Sequence, residues 1–473
     1  MKYKYRENIG KRYVKLDEGK EERIMDDTNK MDLLSGPLLK KIILFAIPIA
    51  IGSVLQQLFN MVDTAVVGRF ASSEALAAVG ANGPVVSLFV NFFVGLSAGS
   101  SVLVAGYIGS GRKDRLSNAV HTSVTVSLIC GIFLAILVQF VGKPLLVLMS
   151  IPENIMDLGV LYLRIYALGM PFILLYNFGS AILRSVGDSK RPVYSLVIAG
   201  VINAVLNLIL VVGFKRSVDG VAIATVVSNI VASGMVLRFL MKEKGELQFS
   251  FKKLGIAGQE LRQILKVGVP AGLQGTVFSL SNVVIQSALN TFGSAVVAGS
   301  SVAANFEIIG FFVVNGFSQA AVTFLGQNYG AKQLDRCHDI WKISLACGLI
   351  FSALIDFTFV FCRIPLIHLF TSDPQVVEYA SMRATHVLIV HWLIATYEIT
   401  GSCLRGYGYS LTPALLTVFG TCIVRIGWVT IVNRYYHDFL MVLMVYPISW
   451  VITGILVIGA YFIILRKIRM ENA

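Results

Sequence analysis

Apolar runs of about 18 residues or more recur about twelve times along this chain, and that recurrence leaves few folds open. They begin near Lys41, Ala75, Asn118, Asp157, Val193, Gly220, Arg262, Ser294, His338, Val376, Leu411 and Phe439. A helix rises about 1.5 Å per residue, so each run can cross a hydrocarbon core about 30 Å thick. Only 14% of the residues are charged, well short of the quarter or so usual in soluble chains. The sequence therefore predicts an all-α membrane protein with twelve transmembrane helices.

The net charge of +13 suggests nucleic acid at first sight, but its distribution argues for topology instead. Basic residues gather in every second connection: Arg112, Lys113 and Arg115; Lys190 and Arg191; Lys242 to Lys266; Lys332 and Arg336; Arg466, Lys467 and Arg469. The other side holds Arg69, Lys143, Lys215, Arg216, Arg363 and Arg434. By the positive-inside rule both termini are expected in the cytoplasm, with the bilayer as the main partner. Residues 1–35 are polar, lack the apolar core of a signal peptide and are expected to form a solvated cytoplasmic tail, with contact to anionic lipid as the other reading. The six cysteines have no CxxC spacing and fit small apolar positions better than a disulfide frame or metal site.

The two halves of the chain repeat one another. Pro48 recurs as Pro270, Asn60 as Asn282 and Phe70 as Phe292 at a shift of about 222 residues. Asp114-Arg115 recurs as Asp335-Arg336, Pro144 as Pro365, Arg184 as Arg405, Gly187 as Gly408 and Pro192 as Pro413 at about 221. Because each copy holds six spans, both enter the membrane from the same side and the repeats are parallel. The expected organisation is a tail over 1–35, a six-helix lobe over 36–241, a linker over 242–261, a second lobe over 262–466 and a short C-terminus over 467–473. Two such bundles facing one cleft can rock to expose it alternately to each side. No connection is long enough for an ATPase domain and no GxxxxGK[ST] sequence occurs, so the energy must come from an ion gradient.

Within the first span, Gln56, Asn60 and Asp63 are spaced i, i+4, i+7 on one helical face, and Pro48 upstream predicts a kink. A carboxylate inside a membrane span costs at least a few kcal/mol unless it faces a bundle or a watery path, so Asp63 marks such a path. The alternative is a structural carboxyl bonded to a neighbouring hydroxyl.

The runs QQLFNMVDTAVVGRF, EALAAVGA, GYIGSGRKDR, PFILLYNFGSAILRSVGDSKRP, VAANFEIIGFF, GQNYGAKQLDR and GSCLRGYGYSLTP resemble bacterial multidrug and toxic compound extrusion (MATE) transporters. The resemblance spans nearly everything from Met31 to Arg466. It implies two parallel six-helix lobes, a bacterial inner-membrane location, and export of small organic compounds, often cationic, against protons or sodium. It implies no cofactor, no enzyme activity and a monomer. It makes Asp63, in the VDT motif, the main coupling residue of the first lobe. The Asn-x-x-x-Asp pair common on the fifth helix of the family reads Asn203 and Asn207 here, and Phe278 stands where some relatives carry an acid. A lone carboxyl with amide partners suits a proton better than sodium, because hard cations favour charged oxygen ligands.

Glu307, Glu398 and Arg425 form a candidate charged group in the second lobe, with Arg425 expected to pair with either acid. They either stabilise the lobe or contribute to transport. Tyr176 and Tyr397 occupy equivalent repeat positions and, with Asn177, are the candidate cargo-lining residues. Asp356 is expected to face solvent or a partner near a helix end, without a function, and Arg164 and Arg383 are expected to snorkel or pair at the interface. The six histidines lack metal-ligand spacing, and a proton relay through His386 or His391 is the functional alternative for that pair. Other readings are a lipid-linked oligosaccharide flippase, which needs a basic cavity, a passive channel, and an intramembrane protease, for which neither HExxH nor a GxGD-like sequence occurs.

Overall fold

A computed structural model describes residues 30–149, 151–436 and 438–472. Most of the expected tail, residues 1–29, and His437 lie outside the described residues. Among those described, nine helices are long and apolar enough to cross a membrane, and two bent helix pairs qualify as single broken spans. One further helix, Gly258–Asn290, has the length of a span but carries too many polar residues, Gln274, Ser281 and Asn282 among them, to qualify on composition. Counting it gives the expected twelve.

In chain order the spans are α1 (Leu38–Phe70), α2 (Ser73–Gly109), α3 (Lys113–Leu148), α4 (Glu153–Leu168 and Met170–Ser185), α5 (Lys190–Gly213) and α6 (Val218–Lys242). The second set is α7 (Gly258–Asn290), α8 (Ser294–Gly330), α9 (Leu334–Phe361), α10 (Pro374–His391 and Ile394–Gly406), α11 (Leu411–Ile431) and α12 (Phe439–Glu471). Both fourth members break: α4 bends by 45° at Gly169, just before Pro171, and α10 by 40° between His391 and Ile394. Pro48 and Pro270 lie inside α1 and α7, where each removes one backbone hydrogen bond.

The two sets meet crosswise, with α1 packed on α8 and α2 on α7. Glycine lets the backbones touch. A Cβ on Gly95 would sit 2.4 Å from the Gly272 nitrogen, and one on Gly99 would sit 2.2 Å from the Ile264 oxygen. These contacts lie toward the end of the molecule that carries the basic connections. Farther along, the Asn91 amide donates to Ser279 across the lobes at 3.0 Å. Beyond it Gln56, Asn60 and Asn282 are all exposed.

Residues 30–37 run across the closed end. The Met31 N–H donates to the Gly187 carbonyl at 3.1 Å, and Leu33 is buried. The Asn328 amide donates to the Leu33 carbonyl at 3.1 Å and Arg336 to the Ser35 carbonyl at 2.9 Å. Lys30 pairs with Glu243, which also takes a bond from Arg191 at 2.6 Å. The segment thus contacts both lobes, because its apolar Leu33 and its carbonyls find buried partners there.

Candidate ion-coupling site

Asp63 lies on α1 one turn before Val66 and Val67, which belong to an apolar cluster with Tyr162, Val211, Val218 and Val221. That cluster clamps α1 against α4, α5 and α6 and fixes the depth of the carboxyl. The Asn207 amide donates to Asp63 Oδ1, and it also donates to Asn203 Oδ1 at 3.2 Å. Asn203 donates in turn to Thr225 Oγ1 at 3.5 Å. Thr225 and Asn203 thus extend the polar group behind Asn207, and Tyr162 and Tyr166 lie within electrostatic reach of the carboxyl.

Asn207 is the last α-helical residue before a π-helical stretch, Leu208–Gly213, that widens α5. Such stretches leave backbone groups imperfectly paired and often mark functional positions. Asn207 Oδ1 is buried and has no hydrogen-bond partner among the described residues. Asp63, Asn203 and Asn207 therefore come together, whereas Gln56 and Asn60 do not bond the carboxyl. Both are exposed, and Thr64 Oγ1 donates to the Asn60 backbone carbonyl at 3.1 Å. Side-chain amides are poorly suited to acyl chains, so their face belongs to the gap between the lobes. Thr225 and Tyr162 escaped sequence reasoning because a single Thr or Tyr in an apolar helix is usually packing.

The candidate group in the second lobe divides differently from expectation. Glu307 on α8 is held by Arg383 on α10, through bonds of 2.7 and 2.9 Å. Arg383 is buried, not snorkelling, since the carboxylate and the Tyr446 ring beneath it at 5.1 Å compensate its charge inside the lobe. Arg425 pairs with neither acid. It donates to Ser449 Oγ at 3.0 Å and to Asn282 Oδ1 at 3.4 Å, between the rings of Phe278 and Tyr446.

Glu398 has Arg405 as its charged neighbour, and Arg405 bonds Gln274 at 2.9 Å. Asp356 is fully buried near the end of α9 and faces a partner, His391, and not solvent, because α8 and α10 cover it. Tyr397 lies in the apolar core of the second lobe at 2% exposure, so it lines no open cleft in this arrangement. Tyr176 is tied to the Pro192 carbonyl at 3.1 Å, and the Asn177 amide bonds its own helix at Ile173. Arg164 bonds the Gln139 carbonyl at 3.3 Å. Among the described residues no group of three His, Cys, Asp or Glu side chains is placed to hold a metal ion.

The MatE family model matches residues 48–209 and again 270–430, together more than half of the chain. The chain belongs to the MatE family. Members of this family are membrane transporters and not enzymes, and the doubled match coincides with the internal repeat. The MatE chain is 28% identical to a probable multidrug resistance protein, YoeA, of Bacillus subtilis over 90% of its own length and 93% of the relative's. It is 25% identical to the probable multidrug resistance protein NorM of Thermotoga maritima, over 84% and 86%. Among solved structures, a MOP superfamily transporter from Pyrococcus furiosus superimposes with a TM-score of 0.87 at 23% identity, covering 92% of this chain and 98% of that one. That likeness shows the twelve-helix fold.

Proposed function

We propose that this transporter exports small organic compounds, monovalent organic cations among them, in exchange for protons carried by Asp63. One observation carries the reading: Asp63 is an intramembrane carboxyl bonded by the neutral Asn207 amide, which is itself backed by the neutral Asn203 and Thr225. With no fixed cation to satisfy it, the group gains most from binding a positive ion, and a proton needs no further charged ligand. Two relatives described as probable multidrug resistance proteins support the cargo class. The basic connections support a cytoplasmic side for both termini and for the end bridged by residues 30–37, and on this reading the exposed amides line a cleft open to the outside. The protein acts in the bacterial cell membrane by alternating access.

One charge crossing 100 mV is worth about 2.3 kcal/mol, and a tenfold concentration ratio about 1.4 kcal/mol. Through Asp63 alone, one proton exchanged for one monovalent cation is electroneutral, and only the pH gradient drives export. A second reading, sodium as the coupling ion, draws on the unpartnered Asn207 Oδ1 beside the carboxyl, an oxygen a hard cation would use. Ethidium efflux from proteoliposomes under separate proton and sodium gradients decides between them. Uphill efflux driven by sodium at equal pH would overturn the proton assignment.

A further inference from the structure

Asp356 and His391 take no part in the reading above. Asp356 Oδ2 accepts from Ser352 Oγ at 3.1 Å and lies 3.2 Å from His391 Nδ1. The two residues are 0% and 3% exposed, and Asp356 Oδ1 has no hydrogen-bond partner among the described residues. Residue 310 leaves room for the pair only because it is glycine, since a Cβ there would come within 2.3 Å of Asp356 Oδ1. His391 sits where α10 is least regular, between a π-helical stretch, Ala384–Leu388, and the 40° break before Ile394.

The charges around the pair do not cancel. Glu307 on α8 lies within electrostatic reach of His391, and Arg383 on α10 and Arg425 on α11 lie within reach of Glu307. Packing on it from α12 are uncharged rings, chiefly Trp450 at 5.4 Å from His391, and α1 carries no charged residue between Lys41 and Asp63. Glu307 and Arg383 neutralise one another, which leaves Arg425 as a surplus positive charge. An Asp356 carboxylate beside a neutral His391 brings the interior to zero. A proton added between Oδ2 and Nδ1 restores the surplus but satisfies the pair as a strong hydrogen bond. Each state thus has its own compensation, which is what a site that loads and unloads requires. Shut off from water here, the pair can exchange its proton only when the lobe repacks around the break in α10, as a carried ion must.

We propose that Asp356 and His391 form a second proton site that takes up and releases one proton per transport cycle in addition to the one carried by Asp63. The proposal rests on the proton-coupled reading above. Two protons entering for one monovalent cation leaving moves a net charge, so transport becomes voltage-driven.

The test uses the full chain in proteoliposomes with ethidium as probe, under a potassium-valinomycin potential at equal pH and, separately, under a pH gradient at zero potential. The wild type is expected to move ethidium uphill in both arms. Asp356→Asn and His391→Gln are expected to lose the voltage-driven arm and to keep pH-driven exchange at a reduced rate. A wild type that ignores voltage, or either variant with an undiminished voltage response, would overturn the proposal. The wild-type measurement stands even if the variants fail to insert. If Asp63→Asn transports normally in the pH arm, the failure lies in the Asp63 assignment and not in the second site.

Discussion

The two lobes share a backbone plan and differ in polarity. In the first, the α1–α5 contact sets the Asp63 carboxyl against the Asn207 amide. At the corresponding α7–α11 contact of the second, the Asn282 amide meets the Arg425 guanidinium. Asn282 repeats Asn60, yet among the described residues Asn60 makes no such cross-helix side-chain bond and is left exposed. The difference teaches that duplication preserved what packing needs, namely the prolines, the broken fourth helix and the glycine turns, while the ionisable groups diverged. One lobe keeps a lone acid among neutral partners. The other encloses acids and bases that largely answer one another.

The sharpest way to break this contrast is Asp63→Asn. It is expected to reduce proton-driven ethidium efflux to background while the protein inserts and elutes as a folded species, and wild-type rates under an imposed pH gradient would refute the role of the first lobe. In the second lobe, Arg383→Ala leaves the Glu307 carboxylate unpaired and should cost about 3–5 kcal/mol of stability in denaturant unfolding. Replacing both residues with apolar side chains of similar size should recover most of that loss, as a structural pair predicts.

Smaller effects refine the picture. Asn207→Ala removes a hydrogen bond to a charged group, worth about 1.5–3 kcal/mol, and should slow coupled efflux by about tenfold or more. Asn207→Asp would add a second acid beside Asp63. Sodium stimulation of efflux in that variant, absent from the wild type, is the expected gain. Thr225→Val deletes a neutral partner and should cost only about 1 kcal/mol, read as a several-fold loss of rate with folding intact.

Much of this was legible in the chain. Helix number followed from the apolar runs, even for α7, whose amides dilute its hydropathy without shortening it. The parallel repeat followed from spaced prolines and glycines. Asp63 with Asn203 and Asn207 was legible because an acid and an i, i+4 amide pair stand out against apolar neighbours. Partners in the second lobe were not. Glu307, Arg383 and Arg425 are separated by 76 and 42 residues along the chain, and nothing in their local spacing says which guanidinium reaches the carboxylate.

The sequence by itself determined the solvent this protein lives in, the number of its helices and their repetition in two sets, and the presence of an ionisable residue in the first span. These depend on local composition and on period. The tertiary structure alone decided that Arg383 and not Arg425 holds Glu307, that Asp356 is enclosed with His391, and that Thr225 backs Asn203 behind Asp63. Such choices depend on how helices distant in sequence rotate against one another, and a helix turned by one residue presents a different side chain to the same neighbour.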